Sequence, residues 1–141
     1  MKFPKKSLGQ NFLIDKNITR KIINLAKIEN CNVVEIGPGQ GALTDEILKS
    51  RPKFLSIIEK DVELFSKLKF RFIKNKKINI FNNDILQFDL KKILKKKTII
   101  FGNLPYNISS QILIKIIKLE SLNNVGDIIL MFQKELGEKI I

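Results

Sequence analysis

The sequence predicts an α/β fold, a mostly parallel sheet with helices on both faces. Two observations carry this. Short runs of β-branched and aromatic residues alternate with longer amphipathic stretches, and the first run ends in a glycine-rich turn, Gly37-Pro38-Gly39-Gln40-Gly41. Strands that alternate with helices build a parallel sheet through right-handed crossovers.

Strand-like runs occupy Asn32–Ile36, Phe54–Ile58, Ile78–Phe81, Thr98–Phe101 and Asp127–Phe132. Helical patterns fall at Asn17–Ile28, Ala42–Lys49, Val62–Phe72, Leu90–Lys95 and Ser109–Leu119. In the first of these, Ile18, Ile22, Leu25 and Ala26 share a face, with Asp15 or Asn17 as the cap. At 141 residues and 44% hydrophobic, the chain is at most one domain with a real core. The run Ile128-Ile129-Leu130-Met131-Phe132 would be an uncovered apolar sheet edge, so further chain is expected to cover it.

Composition narrows the chemistry. A formal net charge of +12 favours a polyanionic partner such as nucleic acid, although richness in Lys, Ile and Asn is also what an AT-biased genome produces. Lys95-Lys96-Lys97 and the lysines from Lys67 to Lys77 are read as solvated loop and helix faces. The chain has no histidine and one cysteine, Cys31, so neither histidine acid–base chemistry nor a zinc cage of histidines and cysteines can be built. No metal is expected. A single cysteine forms no intrachain disulfide and fits a reducing compartment. Met1-Lys2-Phe3-Pro4-Lys5-Lys6 lacks the apolar core of a signal peptide, and no apolar run approaches the roughly 20 residues of a membrane span. A soluble, cytoplasmic protein is expected.

The first strand runs into Glu35-Ile36-Gly37-Pro38-Gly39-Gln40-Gly41. Glycines at a strand-to-helix turn let the backbone turn tightly and approach a ligand. Gly37, Gly39 and Ala42 formally satisfy a dinucleotide fingerprint. Two features argue against a pyrophosphate: Pro38 has no N–H to donate, and Glu35 would place negative charge beside it. Both suit a cofactor carrying positive charge, such as the sulfonium and amino groups of S-adenosylmethionine. Glu59 ends the second strand about 20 residues beyond the loop, where an acidic side chain accepts ribose hydroxyls. Asp84, after the third strand, can accept from an adenine amine while Ile85 packs on the ring; alone it reads equally as a cap or a solvated turn.

Asn103-Leu104-Pro105-Tyr106 follows the fourth strand, at the sheet edge where open α/β folds bind ligands. An amide, a rigid proline and an aromatic ring there suit a nucleobase amine. Taken blandly, Asn103 caps a turn, Pro105 ends the strand and Tyr106 packs in the core.

With Lys6-Ser7-Leu8-Gly9-Gln10-Asn11-Phe12-Leu13 before the first helix, these stretches make the chain resemble the KsgA/Dim family of ribosomal RNA adenine N6-dimethyltransferases, from about Lys5 to Glu135. The resemblance implies a Rossmann-like class I S-adenosylmethionine-dependent methyltransferase fold, incomplete at its C-terminal side, with residues 1–141 as the catalytic domain and a small helical domain beyond it. It implies that Asn11 and Leu13 contact S-adenosylmethionine, that Gly37 lies against its methionine part, that Glu59 takes the ribose and Asp84 the adenine amine. Asn103 would border both methyl donor and target base. Gln133-Lys134-Glu135 also resembles a family segment without a firm role. The implied reaction is N6-dimethylation of adenines in small-subunit ribosomal RNA during ribosome biogenesis, by a monomer that binds RNA and no membrane.

In that reaction Asn103 Oδ1 and the Leu104 carbonyl would accept the two amine hydrogens and aim the nitrogen lone pair at the methyl. Pro105 would fix the loop, and Tyr106 would stack on an unstacked base. Three alternatives stand beside this: a macrolide-resistance methyltransferase acting on a large-subunit adenine, a DNA amino-methyltransferase, and an RNA- or cofactor-binding remnant without turnover.

Overall fold

A computed structural model describes residues 15–119 and 122–131. Five strands form one sheet: β1 (Asn32–Ile36), β2 (Phe54–Ile58), β3 (Ile78–Phe81), β4 (Thr98–Asn103) and β5 (Val125–Met131). Among the described residues, four α-helices accompany them: α1 (Lys16–Ile23), α2 (Ala42–Lys49), α3 (Val62–Arg71) and α4 (Tyr106–Ile117). The strand order is β3-β2-β1-β4-β5, and every pairing is parallel. The chain works outward from β1 to β3, then crosses back to place β4 on the other side of β1. This reversal is the switch point at which such sheets open a crevice.

The strands are apolar on both faces because both faces are covered. β1 and β4 read almost wholly buried, as parallel strands between two helical layers must. Alternation along β1 divides the core in two. Val33 packs with Ile23 of α1 and Leu43 and Ile47 of α2, whereas Val34 and Ile36 pack with Ile112 and Ile116 of α4.

Three strands match the sequence pattern residue for residue, and β4 extends two residues further, to Asn103. β5 begins at Val125; Phe132, expected to end it, lies outside the described residues. The expected first helix is shorter and turned. α1 ends at Ile23 with Asn24 as its C-cap, and the core-facing residues are Thr19 and Ile23, with Ile22 and Ala26 partly buried. Ile18 and Leu25 face outward at 40% and 70% exposure. The chain must reverse before β1, through Asn30 in a left-handed conformation with φ 63°, so the apolar periodicity outlasts the helix. Asp15 is the cap: its Oδ1 accepts the Asn17 N–H at 2.8 Å.

The segment expected as a helix over Leu90–Lys95 is a single 3-10 turn, Leu90–Lys92, whose start is capped by Asp89. α4 begins at Tyr106, three residues before the periodicity does, because Pro105 serves as its N-cap with φ already at −54°.

Burial sets the cost of truncation. Ile100, wholly buried in β4, and Ile114, half exposed on α4, differ accordingly. Ile100→Val should lower unfolding free energy by about 0.5–1.5 kcal/mol, and Ile114→Val should stay within about 0.5 kcal/mol of the parent. Urea unfolding of the two variants measures the difference.

Candidate active site

The carboxyl ends of β1, β2, β3 and β4 open onto one cavity of about 440 Å³, within the range of small-molecule sites. Gly37 comes from the turn after β1, Glu59 from the end of β2, Asp84 and Ile85 from the turn after β3, and Asn103, Leu104 and Pro105 from β4 and its loop. The structure therefore brings together Gly37, Glu59, Asp84, Asn103, Leu104 and Pro105. Tyr106 is the first residue of α4. Asn11, Leu13 and Gln133-Lys134-Glu135 lie outside the described residues.

The turn after β1 places Gly37, Gly39 and Gly41 at φ 69°, 59° and 91°, a region that penalises any Cβ. Gly37 carries a second constraint. A Cβ there would sit 2.6 Å from Leu104 Cδ2 and 3.3 Å from the Asn103 carbonyl. The turn after β1 and the loop after β4 are thus in direct contact, as the register Ile36 to Gly102 dictates.

Glu59 is buried at the cavity wall. Its Oε2 accepts the Asp61 N–H at 2.8 Å, while Oε1 is buried without a hydrogen-bond partner among the described residues. Burial pushes its carboxyl above the ordinary carboxylate range, opposed by the backbone N–H groups of Asp61, Gly39 and Lys60. An orphaned buried acceptor calls for a donor. A ribose hydroxyl is such a donor, so the site fits the expected nucleoside cofactor at this point.

Asp84 has two engagements. Its Oδ1 accepts the Leu86 N–H at 3.0 Å, closing the turn, and its Oδ2 lies 3.5 Å from Lys60 Nζ. The capping reading is therefore real: it uses one oxygen, while the other pairs with Lys60, and both residues line the cavity. Ile85, beside it, is 5% exposed and belongs to the α4-side core.

Asn103 is the last residue of β4, paired with Met131 and buried. Leu104 offers its carbonyl to Ser109 Oγ at 3.3 Å, and the Ser109 N–H bonds the Pro105 carbonyl at 2.9 Å. Wholly buried Ser109 thus holds the first turn of α4 against the Leu104–Pro105 loop. One lone pair of the Leu104 carbonyl remains for another donor.

Glu35 departs from expectation. It lies on the β1 face shared with Val33, away from the cavity, and accepts Thr44 Oγ1 of α2 at 2.5 Å. Burial pushes its carboxyl up to about 8, with smaller upward contributions from Asp45 and Glu59 and a downward one from Thr44. At neutral pH it is mostly protonated, so it does not supply the negative charge that the motif suggested.

Three polar side chains that hold backbone carbonyls went unread in the sequence. Asn82 Nδ2 donates to the Glu59 and Lys60 carbonyls at 2.9 and 3.1 Å, pinning the end of β3 to that of β2. Ser109 and Lys115 are the others. Lys115 had a signal, as the lone cation in the run Ile112-Leu113-Ile114-Lys115-Ile116-Ile117. No cluster of metal-ligating side chains exists among the described residues, and no helix among them is long and apolar enough to cross a membrane.

Parallel order, glycine turn, acidic end of β2 and the crevice between β1 and β4 define a Rossmann-like fold of the class I methyltransferase type. A family model described as ribosomal RNA adenine dimethylase matches residues 1–141, and the chain belongs to that family. Ribosomal RNA small subunit methyltransferase A of Pelagibacter ubique is 49% identical over 138 residues, spanning 97% of this chain and 52% of that protein. The protein of the same name from Francisella tularensis is 45% identical over 141 residues, spanning 97% and 53%. The chain spans about half the length of the curated relatives it matches. Among solved structures, a dimethyladenosine transferase from Plasmodium falciparum superposes with TM-score 0.72 at 30% identity, over 89% of this chain and 44% of that one. The 23S ribosomal RNA methyltransferase ErmE superposes with TM-score 0.74 at 25% identity, over 92% and 50%.

Two outcomes follow from this geometry. Gly37→Ala should lose at least about 1–2 kcal/mol of stability from the left-handed φ alone, plus whatever the Leu104 contact adds, as read by urea unfolding. For Glu35, the folded carboxyl titrates near 8 against an ordinary value of 4.5. The stability gained from the raised pKa is fully present below the unfolded value and is lost as pH rises through the folded one. Unfolding midpoints should therefore fall as pH rises from about 5 to 8, and Glu35→Gln should flatten that slope without abolishing it, since Glu59 contributes in the same direction.

Proposed function

We propose that this chain forms the catalytic domain of an enzyme that dimethylates the N6 amine of adenines in small-subunit ribosomal RNA, acting in ribosome biogenesis. The observation that carries the reading is the contact of the Gly37 turn with Asn103 and Leu104 at one cavity wall, with Glu59 Oε1 orphaned across it. On this reading a nucleoside-binding carboxylate at the end of β2 and a pair of amine acceptors at the end of β4 flank the turn after β1. S-adenosylmethionine supplies the electrophilic methyl group when bound.

The protein's own residues divide the work. Glu59 accepts the ribose hydroxyls, Asp84 accepts the adenine amine with Ile85 against the ring, and Gly37 leaves room for the methionine part. Asn11 and Leu13 are proposed to complete this side. On the acceptor side, Asn103 Oδ1 and the free lone pair of the Leu104 carbonyl take the hydrogens of the target amine. An exocyclic adenine amine is a poor nucleophile because its lone pair is delocalised. Two acceptors draw it towards a tetrahedral shape, which asks for orientation rather than a strong base. Pro105 holds the loop direction, and Tyr106 is proposed to stack on the unstacked base, a contact worth about 1–3 kcal/mol.

Small-subunit RNA is preferred over the large-subunit alternative because relatives at 45% and 49% identity carry the small-subunit name, whereas the large-subunit enzyme ErmE stands at 25%. The net charge of +12 suits an RNA partner. A cytoplasmic monomer that uses no metal and no membrane completes the proposal.

Transfer of a labelled methyl group to unmethylated small subunits tests it. The parent protein should label adenine N6, and Asn103→Ala should lose at least about 10²–10³-fold in kcat while its circular dichroism and urea midpoint hold. Near-parental turnover by Asn103→Ala would overturn the assignment of the acceptor side.

A further inference from the structure

We propose that Lys115 is a positioning residue that fixes the adenosine end of the cofactor site from the helix that follows the acceptor loop. The proposal rests on the function proposed above and adds a residue to it. Lys115 Nζ donates to the Ile85 carbonyl at 2.6 Å and to the Phe88 carbonyl as well. Those carbonyls belong to the turn after β3 that carries Asp84 and Ile85, 30 and 27 residues away in sequence.

The turn is self-closed on its inner side. Asp84 Oδ1 accepts the Leu86 N–H, and the Asp84 carbonyl accepts the Gln87 and Phe88 N–H groups at 2.9 and 3.0 Å. The side chains of Ile85, Phe88 and Leu90 are buried with Ile112 and Ile116 of α4, and the bonds from Lys115 to the Ile85 and Phe88 carbonyls are part-buried. A part-buried carbonyl that loses its donor is only partly compensated by water, which loosens the turn. Lys115 answers both carbonyls with one cation. Its ammonium is partly desolvated, which lowers its pKa, and the neighbouring carboxylates of Asp89 and Asp84 act against that shift.

The consequence is geometric. α4 starts at Tyr106, capped by Pro105, so one rigid helix carries the acceptor loop at its N-terminus and the clamp on the adenine-side turn nine residues later. An apolar side chain at 115 would fill the space but leave Asp84 and Ile85 free to drift, and small misplacements of this kind are costly at binding sites. A packing role alone would be met by methionine; a clamp needs a donor cation.

Lys115→Met and Lys115→Arg separate these. In the unliganded protein, hydrogen exchange at the Leu86, Gln87 and Phe88 amides should accelerate in Lys115→Met and return towards the parent in Lys115→Arg. By calorimetry, Lys115→Met should bind S-adenosylhomocysteine roughly ten- to a hundredfold more weakly, the loss expected when a binding turn is slightly misplaced. KM for the methyl donor should rise while kcat at saturating donor holds. Equal exchange and equal affinity in parent and Lys115→Met would overturn the clamp, as would a uniform loss of stability and activity not rescued by arginine. A parent that exchanges as expected yet binds no S-adenosylhomocysteine would remove the proposed function and, with it, the cofactor role of Lys115, while leaving its hold on the turn in place.

Discussion

The missing side chain at Gly37 is the constraint on which the site depends. β1 and β4 are neighbours although β2 and β3 intervene in sequence. Neighbouring strands lie about 4.8 Å apart, so the loops that leave them have little space between them. With no Cβ at Gly37, Leu104 Cδ2 and the Asn103 carbonyl pack against its Cα. Gly102 repeats the device one strand over, where a Cβ would meet Leu130 Cδ2 at 2.8 Å. The loops after β1 and β4 thereby close on each other, and two segments of unrelated sequence share one cavity wall. For a reaction governed by orientation, that closeness matters more than any single reactive group.

The strands were legible because parallel strands buried on both faces must be continuous apolar runs, and Val33-Val34 or Ile57-Ile58 have few other ways to be satisfied. Helix limits were less so. The apolar spacing from Ile18 to Ala26 continues past the true end of α1, and what stops the helix is the reversal at Asn30 needed to enter β1. In α4 the error ran the other way, since a proline that ends a strand is also a good helix start. Gly37, Glu59, Asp84 and Asn103 could be read because strand ends are fixed by the sheet. Asn82, Ser109 and Lys115 escaped because each acts on a backbone carbonyl whose position depends on the fold. In the case of Asn82 that carbonyl lies 23 residues away. A lysine among isoleucines signals that something needs a cation, but not which carbonyls.

Two buried glutamates on adjacent strands show how the same side chain is put to different use. Glu35 faces α2, finds Thr44, and is held mostly neutral by burial. Glu59 faces the cavity with one oxygen satisfied and the other not. Each charge would raise the pKa of the other, and Glu59 is among the groups that push Glu35 up. Under the proposed function, ribose hydroxyls brought to Glu59 Oε1 would favour its charged form. Of the two, Glu59 is the carboxyl that lines the cavity, one strand away from Glu35 in the core.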